Sequence, residues 1–464
     1  MVVRMADTIR FTLNGAPVEV AGISPMTTLL DWLREHRGLK GTKEGCAEGD
    51  CGACTVVLER ASGRHEAINA CIAMLGQMDG QMIRTVEGLL GEDGSPHPVQ
   101  QALAESDATQ CGFCTPGFVM SAYAFASGGE AAETETIHDA LAGNLCRCTG
   151  YRPIVDAMKK VAGLATEMAT PPPVRTASPV FGDAFFAPRS LEDLVALRAR
   201  HPDAVLLAGG TDLGLLAGHA RQPPEAVIHV AHVAELNVIE VDEKQLTFGA
   251  AVTYARAMPA LVEAFPALRT YLARLGSRQI RTLGTIGGNL GNASPIGDMP
   301  PVLLALEARV KLASRRGTRE LPLEEFFFGY RKTALAPDEV IQSFSLPRLW
   351  PGENFHCDKV SKRRDQDIST VAGAYRIRIR NDRIEDVRLA FGGMAAMPRR
   401  ASNAEAALLK DGFEAARAAL ARDFQPIDDW RGSASYRLQV ATNLLRRLEL
   451  RLAEPQRPVE VEAL

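Results

Sequence analysis

The distribution of cysteine constrains this chain more than any other feature. Of nine cysteines in 464 residues, eight fall between Cys46 and Cys148, and only Cys357 lies beyond them. The first four, Cys46, Cys51, Cys54 and Cys71, sit in CAEGDCGACTVVLERASGRHEAINAC. Cys-x4-Cys-x2-Cys with a distant fourth cysteine is the spacing of a [2Fe–2S] loop. Three thiolates wrap one face of the cluster from a short loop, and a fourth arrives from a separate element. Gly45, Gly49 and Gly52 suit a backbone that must turn tightly and aim N–H groups at sulfur. The competing readings are a zinc site, whose ligands usually come as paired Cys-x2-Cys units, or a group of buried thiols.

The other four are Cys111 and Cys114 in QCGFCTPG, and Cys146 and Cys148 in NLCRCTGY. Cys-x2-Cys with a remote Cys-x-Cys is not a standard zinc pattern, although zinc stays open for this set taken alone. Clustered cysteines in a chain without secretion signals argue for metal rather than disulfides. The N-terminus lacks an apolar signal core, no apolar run approaches a membrane span, and a cytoplasmic location is expected. A net charge of -4 gives no bulk electrostatic case for nucleic acid or anionic membrane.

The length suggests about three domains. Ile9 to Val20 reads as a hairpin around Asn14-Gly15, Thr27 to His36 as a helix capped by Thr27 or Thr28, and Thr55 to Glu59 as a strand. Helices are expected over Pro98 to Glu105, Phe118 to Ala126, Thr136 to Ala142 (ended by Gly143) and from Arg152 to about Ala165. Each cysteine pair of the second set then precedes a helix N-terminus, where Pro116 and Pro153 suit the first turn. Such termini favour anions, which a thiolate-bound iron–sulfur cluster is.

The N-terminal segment resembles the plant-type ferredoxin domain. CxxGxCGxC, QCGFCTPG and NLCRCTGY, in this order, resemble the two-cluster domain of the molybdenum hydroxylases, a family that includes xanthine dehydrogenases, aldehyde oxidases and carbon monoxide dehydrogenases. That resemblance implies two [2Fe–2S] clusters, held by Cys46, Cys51, Cys54 and Cys71 and by Cys111, Cys114, Cys146 and Cys148. It also implies that Gln110 and Cys148 lie at the edge of a molybdopterin carried by another polypeptide or domain.

The Pro-rich stretch from Glu167 to Ser178 reads as a linker. Beyond it the composition turns to alternating strands and helices: a helix over Ser190 to Ala199, strands over Ala204 to Ala208 and Phe248 to Thr253, and glycine-rich loops GGTDLG and GTIGGNLG. Neither loop is GxGxxG, so a Rossmann site fits poorly. The loops resemble the FAD-binding domain of the same family, an α+β fold. By that resemblance Leu206, Leu207, Ala208, Gly209, Gly210, Thr211, Asp212 and Leu213 bind the adenine and pyrophosphate end. Thr285, Ile286, Gly287, Gly288 and Asn289 form the second phosphate loop, with Ser294 beside it and Asp298 on ribityl or ribose hydroxyls. Leu275, Ile341 and Lys359 make further flavin contacts, although mammalian relatives place an aromatic residue at the position of Leu275. GYRKT from Gly329 to Thr333 resembles the xanthine dehydrogenase branch.

Toward the C-terminus, strands are expected over Val371 to Ile379 and Val387 to Phe391, and helices over Asn403 to Ala421 and Ser433 to Leu452, before a mobile tail after Pro455. Cys357 reads as a structural thiol. The nine histidines include no triad-like setting; His97 and His138 read as helix-start and surface residues, and no residue qualifies as a catalytic base or nucleophile. The expected architecture is therefore multidomain α+β: a ferredoxin-like β-grasp [2Fe–2S] domain (6–84), a four-helix [2Fe–2S] domain (85–166), a linker (167–178), an FAD-binding domain (179–350) and a small α/β C-terminal domain (351–464).

What the resemblance implies of function is electron transfer in the xanthine dehydrogenase branch. Electrons pass from a molybdopterin-binding large subunit through both clusters to FAD and on to NAD+, in a dimer of heterodimers. Alternatives are the same role for aldehyde, nicotinate or carbon monoxide, an oxygen-reducing form, or a non-catalytic redox sensor or scaffold.

Overall fold

The computed structural model describes residues 8–91, 93–164, 178–181, 184–218 and 222–456. The expected linker up to 177 and the tail from 457 lie outside the described residues. By chain contacts the protein divides into two units. Unit 1 comprises 1–234, 253–255 and 276–285, and unit 2 comprises 235–252, 256–275 and 286–464.

Unit 1 begins with the hairpin expected from Asn14-Gly15. β1 (Ile9–Leu13) and β2 (Ala16–Val20) pair from Leu13↔Ala16 to Ile9↔Val20. Asn14 and Gly15 take φ of 52° and 81°, the left-handed values a two-residue hairpin loop needs. β3 (Thr55–Leu58), β4 (Glu66–Asn69) and β5 (Met82–Arg84) complete a sheet of order β2-β1-β5-β3-β4, with β5 parallel to β1. β4 and β5 are too short, at four and three residues, to show alternation in the sequence. The helix expected over Thr27 to His36 is one α turn, Leu29–Asp31, followed by a π-helical stretch, Trp32–His36. Thr28 Oγ1 accepts from Asp31 N–H at 3.0 Å, and Trp32 meets Phe11 edge-on at 5.3 Å.

Four helices follow: Pro98–Glu105, Thr115–Ser127, Thr134–Leu141 and Arg152–Val161. Pro98, Pro116 and Pro153 occupy first turns. Their shared core includes Phe118, Met120, Ile137, Ile154 and Met158, and takes in Val57 and Ala67 from the neighbouring sheet. Gly143 departs from expectation. It does not adopt the left-handed conformation of a helix-ending glycine; instead a Cβ there would lie 2.0 Å from Gln279 Oε1, so close approach explains it. The last part of unit 1 is a sheet of order β6-β7-β9-β8, from β6 (Val180–Phe181), β7 (Phe185–Phe186), β8 (Val205–Leu207) and β9 (Val227–His229). A helix, Leu191–Arg200, is capped by Ser190. Phe181, Phe185, Leu207 and Val227 join the β-grasp residues Phe11, Trp32, Ile72 and Leu75 in one core.

Unit 2 contains β10 (Ile239–Val241), β11 (Gln245–Gly249), β12 (Arg309–Ser314), β13 (Gly317–Pro322), the short pair β14 (Phe327–Gly329) and β15 (Lys332–Thr333), and β16 (Val340–Pro347). Five of these form an antiparallel sheet of order β10-β11-β16-β12-β13, with Phe248 stacked on Phe344. The first glycine-rich loop instead follows β8 in unit 1, where β7 and β8 each pair in parallel with β9. β17 (Glu353–Val360), β18 (Val371–Arg380), β19 (Arg383–Gly392) and β20 (Arg399–Arg400) form a meander. It shares a core with the helices Ser402–Asp423 and Ala434–Ala453. The first of these is kinked at Gly412, whose φ is 85°. Among the described residues, no helix is long and apolar enough to cross a membrane.

Candidate functional site

The first four cysteines converge between the end of the helical turn and β4. Cys54 and Cys71 are each 2% exposed, while Cys46 and Cys51 are half-buried. The loop is built to present amides to sulfur. N–H groups of Glu48, Asp50 and Cys51 donate to Cys46 Sγ at 3.4, 3.3 and 3.3 Å, and Gly49 N–H donates to Cys71 Sγ at 3.2 Å. Asn69 Nδ2 donates to the Gly49 carbonyl at 2.8 Å and holds the loop against β4. Gly52 has φ of 68°, and a Cβ there would lie 2.1 Å from the Gly143 carbonyl oxygen.

Proton affinities in this set are split. The thiols of Cys51 and Cys71 donate to Cys46 and hold it well below the usual thiol range, assisted by the amides of Glu48 and Cys51. Donation to Cys46 pushes Cys51 up, with burial adding to it. Cys71 is pushed up by donating to Cys46 and Cys54, and by burial.

The second set is more open. Cys111 and Cys148 are exposed, and Cys114 and Cys146 half-buried. Cys148 Sγ donates to Cys111 Sγ at 3.6 Å. Cys114 immediately precedes the helix Thr115–Ser127 without a side-chain cap, and Cys146 N–H donates to Tyr151 Oη at 2.9 Å. The Phe113 amide, then the Cys148 thiol, lower Cys111, and the same Cys148–Cys111 contact raises Cys148. Burial, then donation to Cys146, pushes Cys114 up to about 12. Burial alone would raise Cys146, but the hydroxyl and amide of Thr149 outweigh it. Among the described residues no three or more His, Cys, Asp or Glu side chains converge as they would round a single metal ion. In the second set the thiols meet in two pairs, Cys111 with Cys148 and Cys114 with Cys146, and a [2Fe–2S] cluster takes two thiolates per iron.

The glycine-rich residues divide between the units. Leu206 to Leu213 and Thr285 lie in unit 1. Gly209 is forced by contact, since a Cβ would sit 1.7 Å from the Leu283 carbonyl oxygen. Gln77, just beyond Cys71, donates through Nε2 to the carbonyls of Ala208 and Gly209 at 3.4 and 3.3 Å. A Cβ on Gly214 would lie 2.0 Å from the carbonyl oxygen of Ile72, the residue after Cys71. The first glycine-rich loop is therefore seated directly on the segment that carries the fourth cysteine of the first set. Sequence reasoning missed Gln77, which no local pattern marks.

Ile286, Gly287, Gly288, Asn289, Ser294, Asp298, Leu275, Ile341 and Lys359 lie in unit 2. Lys359 is 6% exposed and its Nζ donates to Asp298 Oδ2 at 2.6 Å, while Ser369 Oγ donates to Asp298 Oδ1 at 2.6 Å. The Asp298 carboxylate is thus held by both partners, with acceptor capacity remaining for hydroxyls. Asn289 Oδ1 is buried without a hydrogen-bond partner, as fits a group meant for a ligand donor. Leu275 and Ile341 are buried at 8% and 7% exposure. The polar and glycine-rich character of these residues fits a flavin dinucleotide.

The remaining sequence readings also have their places. His97 caps the helix Pro98–Glu105, its Nδ1 accepting from Val99 N–H at 3.2 Å, and His138 is exposed. Cys357 donates to the Ala267 carbonyl at 3.4 Å, and burial raises its pKa well above that of an ordinary thiol.

Known proteins share this arrangement. Residues 11–75 match the 2Fe-2S iron-sulfur cluster binding domain, and 85–159 the [2Fe-2S] binding domain. Residues 179–349 match the FAD binding domain in molybdopterin dehydrogenase, and 357–452 the CO dehydrogenase flavoprotein C-terminal domain. A xanthine dehydrogenase of Emericella nidulans is 34% identical over 523 residues, covering 95% of this chain and 38% of that protein. The xanthine dehydrogenase/oxidase of Rattus norvegicus is 33% identical, over 84% of this chain and 34% of its own length. This chain thus spans little more than a third of these relatives. Among solved structures, a carbon monoxide dehydrogenase from Hydrogenophaga pseudoflava aligns with a TM-score of 0.55 and 29% identity, covering 60% of this chain and 99% of that one. Quinoline 2-oxidoreductase from Pseudomonas putida 86 aligns at 0.54 and 27%, with the same coverage.

Proposed function

Given that the chain belongs to the molybdenum hydroxylase family and corresponds to its iron–sulfur and FAD portion, we propose that it is the electron-transfer subunit of a xanthine dehydrogenase. When bound, two [2Fe–2S] clusters and FAD supply the electron carriers between a molybdopterin on a partner subunit and NAD+. Cys111, Cys114, Cys146 and Cys148 hold the cluster nearer the partner. Cys46, Cys51, Cys54 and Cys71 hold the one nearer the flavin.

The observation that carries this order is the seating of the Leu206–Leu213 loop on Ile72 and Gln77 beside the buried cysteine set, while Cys111 and Cys148 are exposed. The exposed set can meet a second polypeptide; the buried set meets the chain's own flavin loop. In the first pocket, amides aimed at Cys46 and Cys71 stabilise charge on sulfur and so shape the potential. Asp298, held by Lys359 and Ser369, offers acceptors to ribityl or ribose hydroxyls, and a glycine-rich loop lets a phosphate approach its own backbone. No side chain has to act as acid or base, because these residues bind and orient carriers.

The likeness to carbon monoxide dehydrogenase and quinoline 2-oxidoreductase favours one other reading, the same relay serving a different oxidised molecule. The test is anaerobic reduction of the purified chain by NADH, followed by absorbance and low-temperature EPR. Flavin bleaching together with two distinct [2Fe–2S] signals is expected. Two signals with dithionite but none with NADH would remove NAD+ as the acceptor. A single signal with dithionite would remove one cysteine set. Turnover of xanthine by the chain with its partner, against aldehydes, quinoline and carbon monoxide, decides the substrate.

A further inference from the structure

The helix Arg278–Leu283 belongs to unit 1, and its side chains enter the iron–sulfur half. Arg278 donates to Asp139 Oδ2 at 2.6 Å and to the two oxygens of Glu130 at 2.7 and 2.8 Å, and Arg281 donates to Asp139 Oδ1 at 2.5 Å. Between these anchors stands Gln279, 1% exposed. Its Nε2 donates to Asn144 Oδ1 at 3.0 Å and approaches Ser121 Oγ at 3.3 Å and Thr55 Oγ1 at 3.4 Å. Ser121 Oγ donates to Asn144 Oδ1 at 2.6 Å, and Asn144 Nδ2 donates to the Gly52 carbonyl at 3.1 Å. Thr55, Ser121 and Asn144 are each 2% exposed.

This network sits where the two cysteine loops touch. Gly52 lies between Cys51 and Cys54, and Asn144 lies two residues before Cys146. Leu145 N–H donates to the Cys51 carbonyl at 2.9 Å, so one hydrogen bond separates the two loops. A buried primary amide is costly unless its donors are used, and an apolar side chain of the same length could fill the space without that demand. Gln279 Oε1 has no hydrogen-bond partner; it abuts Gly143, where a Cβ would be 2.0 Å away. The amide is therefore held by donation on one side and steric contact on the other. The same helix ends at Leu283, whose carbonyl abuts Gly209 of the first glycine-rich loop.

We propose that Gln279 is a positioning residue that fixes the register of the two cysteine loops, and thereby the sharing of electrons between the clusters they hold. The inference rests on the cluster reading given under Proposed function. With clusters bound, the step it would govern moves one electron: the group held by Cys111, Cys114, Cys146 and Cys148 would be oxidised as the group held by Cys46, Cys51, Cys54 and Cys71 is reduced. No bond to the protein forms or breaks, and no proton is transferred. Loss of the Gln279 donors frees Asn144 and the Gly52 carbonyl to rearrange beside Cys51, which changes the polar surroundings of one cluster and its distance from the other.

The experiment is an EPR-monitored reductive titration of the purified chain carrying both clusters and FAD, in wild type, Gln279→Met and Gln279→Glu. Gln279→Met is expected to keep wild-type iron and flavin content but to change the distribution of the first electron between the two signals about tenfold, or 59 mV for a one-electron couple. The magnetic interaction between the two reduced signals should change with it. Gly143→Ala, which presses on the amide from the opposite side, should shift the distribution by a smaller factor. An electron distribution within twofold of wild type, with unaltered magnetic interaction, overturns the proposal. If Gln279→Met does not accumulate as folded chain, Gln279→Glu, which keeps the shape and loses the donors, carries the same comparison and the same overturning result. Wild-type chain with fewer than two [2Fe–2S] signals would overturn the cluster reading as well. Two wild-type signals indifferent to these variants would overturn the role of Gln279 alone.

Discussion

In the set at Cys46–Cys71 the sulfurs of Cys54 and Cys71 are buried, and four amide contacts converge on Cys46 and Cys71, whereas the set at Cys111–Cys148 keeps two sulfurs exposed beside Phe113, Leu145 and Tyr151. The difference follows from the elements that deliver each set. A loop seated on a five-stranded sheet brings its backbone N–H groups inward, and the core beneath it closes over Cys54 and Cys71. The loops that precede the helices Thr115–Ser127 and Arg152–Val161 stand at the rim of a four-helix packing, where Cys111 and Cys148 stay exposed. The same donor chemistry is thereby enclosed in one case and left at the surface in the other.

Removing a single sulfur breaks this comparison most sharply. Cys71→Ser is expected to abolish the first [2Fe–2S] EPR signal and to lower the unfolding free energy of the metal-free chain by about 1–3 kcal/mol, because a hydroxyl replaces a buried thiol. Cys148→Ser should abolish the second signal while leaving metal-free stability within about 0.5 kcal/mol. Iron content, EPR and urea denaturation read all three quantities. Equal stability losses in the two variants would contradict the assigned difference in burial.

Acid should also separate the regions. Close to the first glycine-rich loop, the buried His229 and the half-buried His232 form a T-shaped pair at 5.2 Å. Burial, then His232 and Arg189, hold His229 well below the usual imidazole range. Burial, then Arg189 and Arg60, lower His232 to about 4. A depressed folded pKa gives stability that is full above about pH 6.5 and is lost as the pH falls toward 4, because the unfolded chain takes up protons the folded one refuses. The loss for His232 is on the order of 3 kcal/mol. The urea midpoint of the wild type should therefore fall from pH 7 to pH 4.5, and His232→Gln should fall less. Identical pH profiles would show that His232 is not held neutral.

The sulfurs themselves offer a finer measure. In metal-free chain, Cys111 is exposed and lowered, while Cys71 is buried and raised. Since the thiolate is the nucleophile, iodoacetamide should label Cys111 at least about tenfold faster than Cys71 at neutral pH. Peptide mass spectrometry resolves the two rates, and comparable labelling would mean that the first pocket opens freely without iron.

Those contrasts were unevenly visible in the sequence. Cysteine spacing announces the chemistry because ligand types are few, and Asn14-Gly15 or Ser190 announce a turn or a cap because the interaction is local. The network of Gln279, Asn144, Ser121 and Thr55 joins residues 23 to 224 positions apart, and no pattern of neighbours marks it. Gly143 shows the limit well. Its position after a helix suggested a cap, but the reason for glycine there is a side chain 136 residues later. Burial of one cysteine set and exposure of the other is likewise a tertiary fact, since spacing names the ligands but not their depth. The flavin-contact positions were assigned by family resemblance, and the Lys359–Asp298–Ser369 contacts emerge only in the fold.

The smallest expected effect concerns the rim of the second set. Phe113 is 51% exposed and Leu145 45%, large apolar groups flanking Cys111, Cys114 and Cys146 on a surface that contributes little to the core. Phe113→Ser should therefore leave the unfolding midpoint of the isolated chain within about 0.5 kcal/mol of wild type. If this rim meets the molybdopterin-bearing subunit, the same substitution should weaken association by more than about 1 kcal/mol, because exposed aromatics that become enclosed carry a disproportionate share of interface energy. Sedimentation or calorimetry with the purified partner measures the second number and denaturation the first. A substitution that lowers stability while sparing association would place Phe113 in the fold rather than in the interface, and would remove the distinction between an inward-facing and an outward-facing cysteine set.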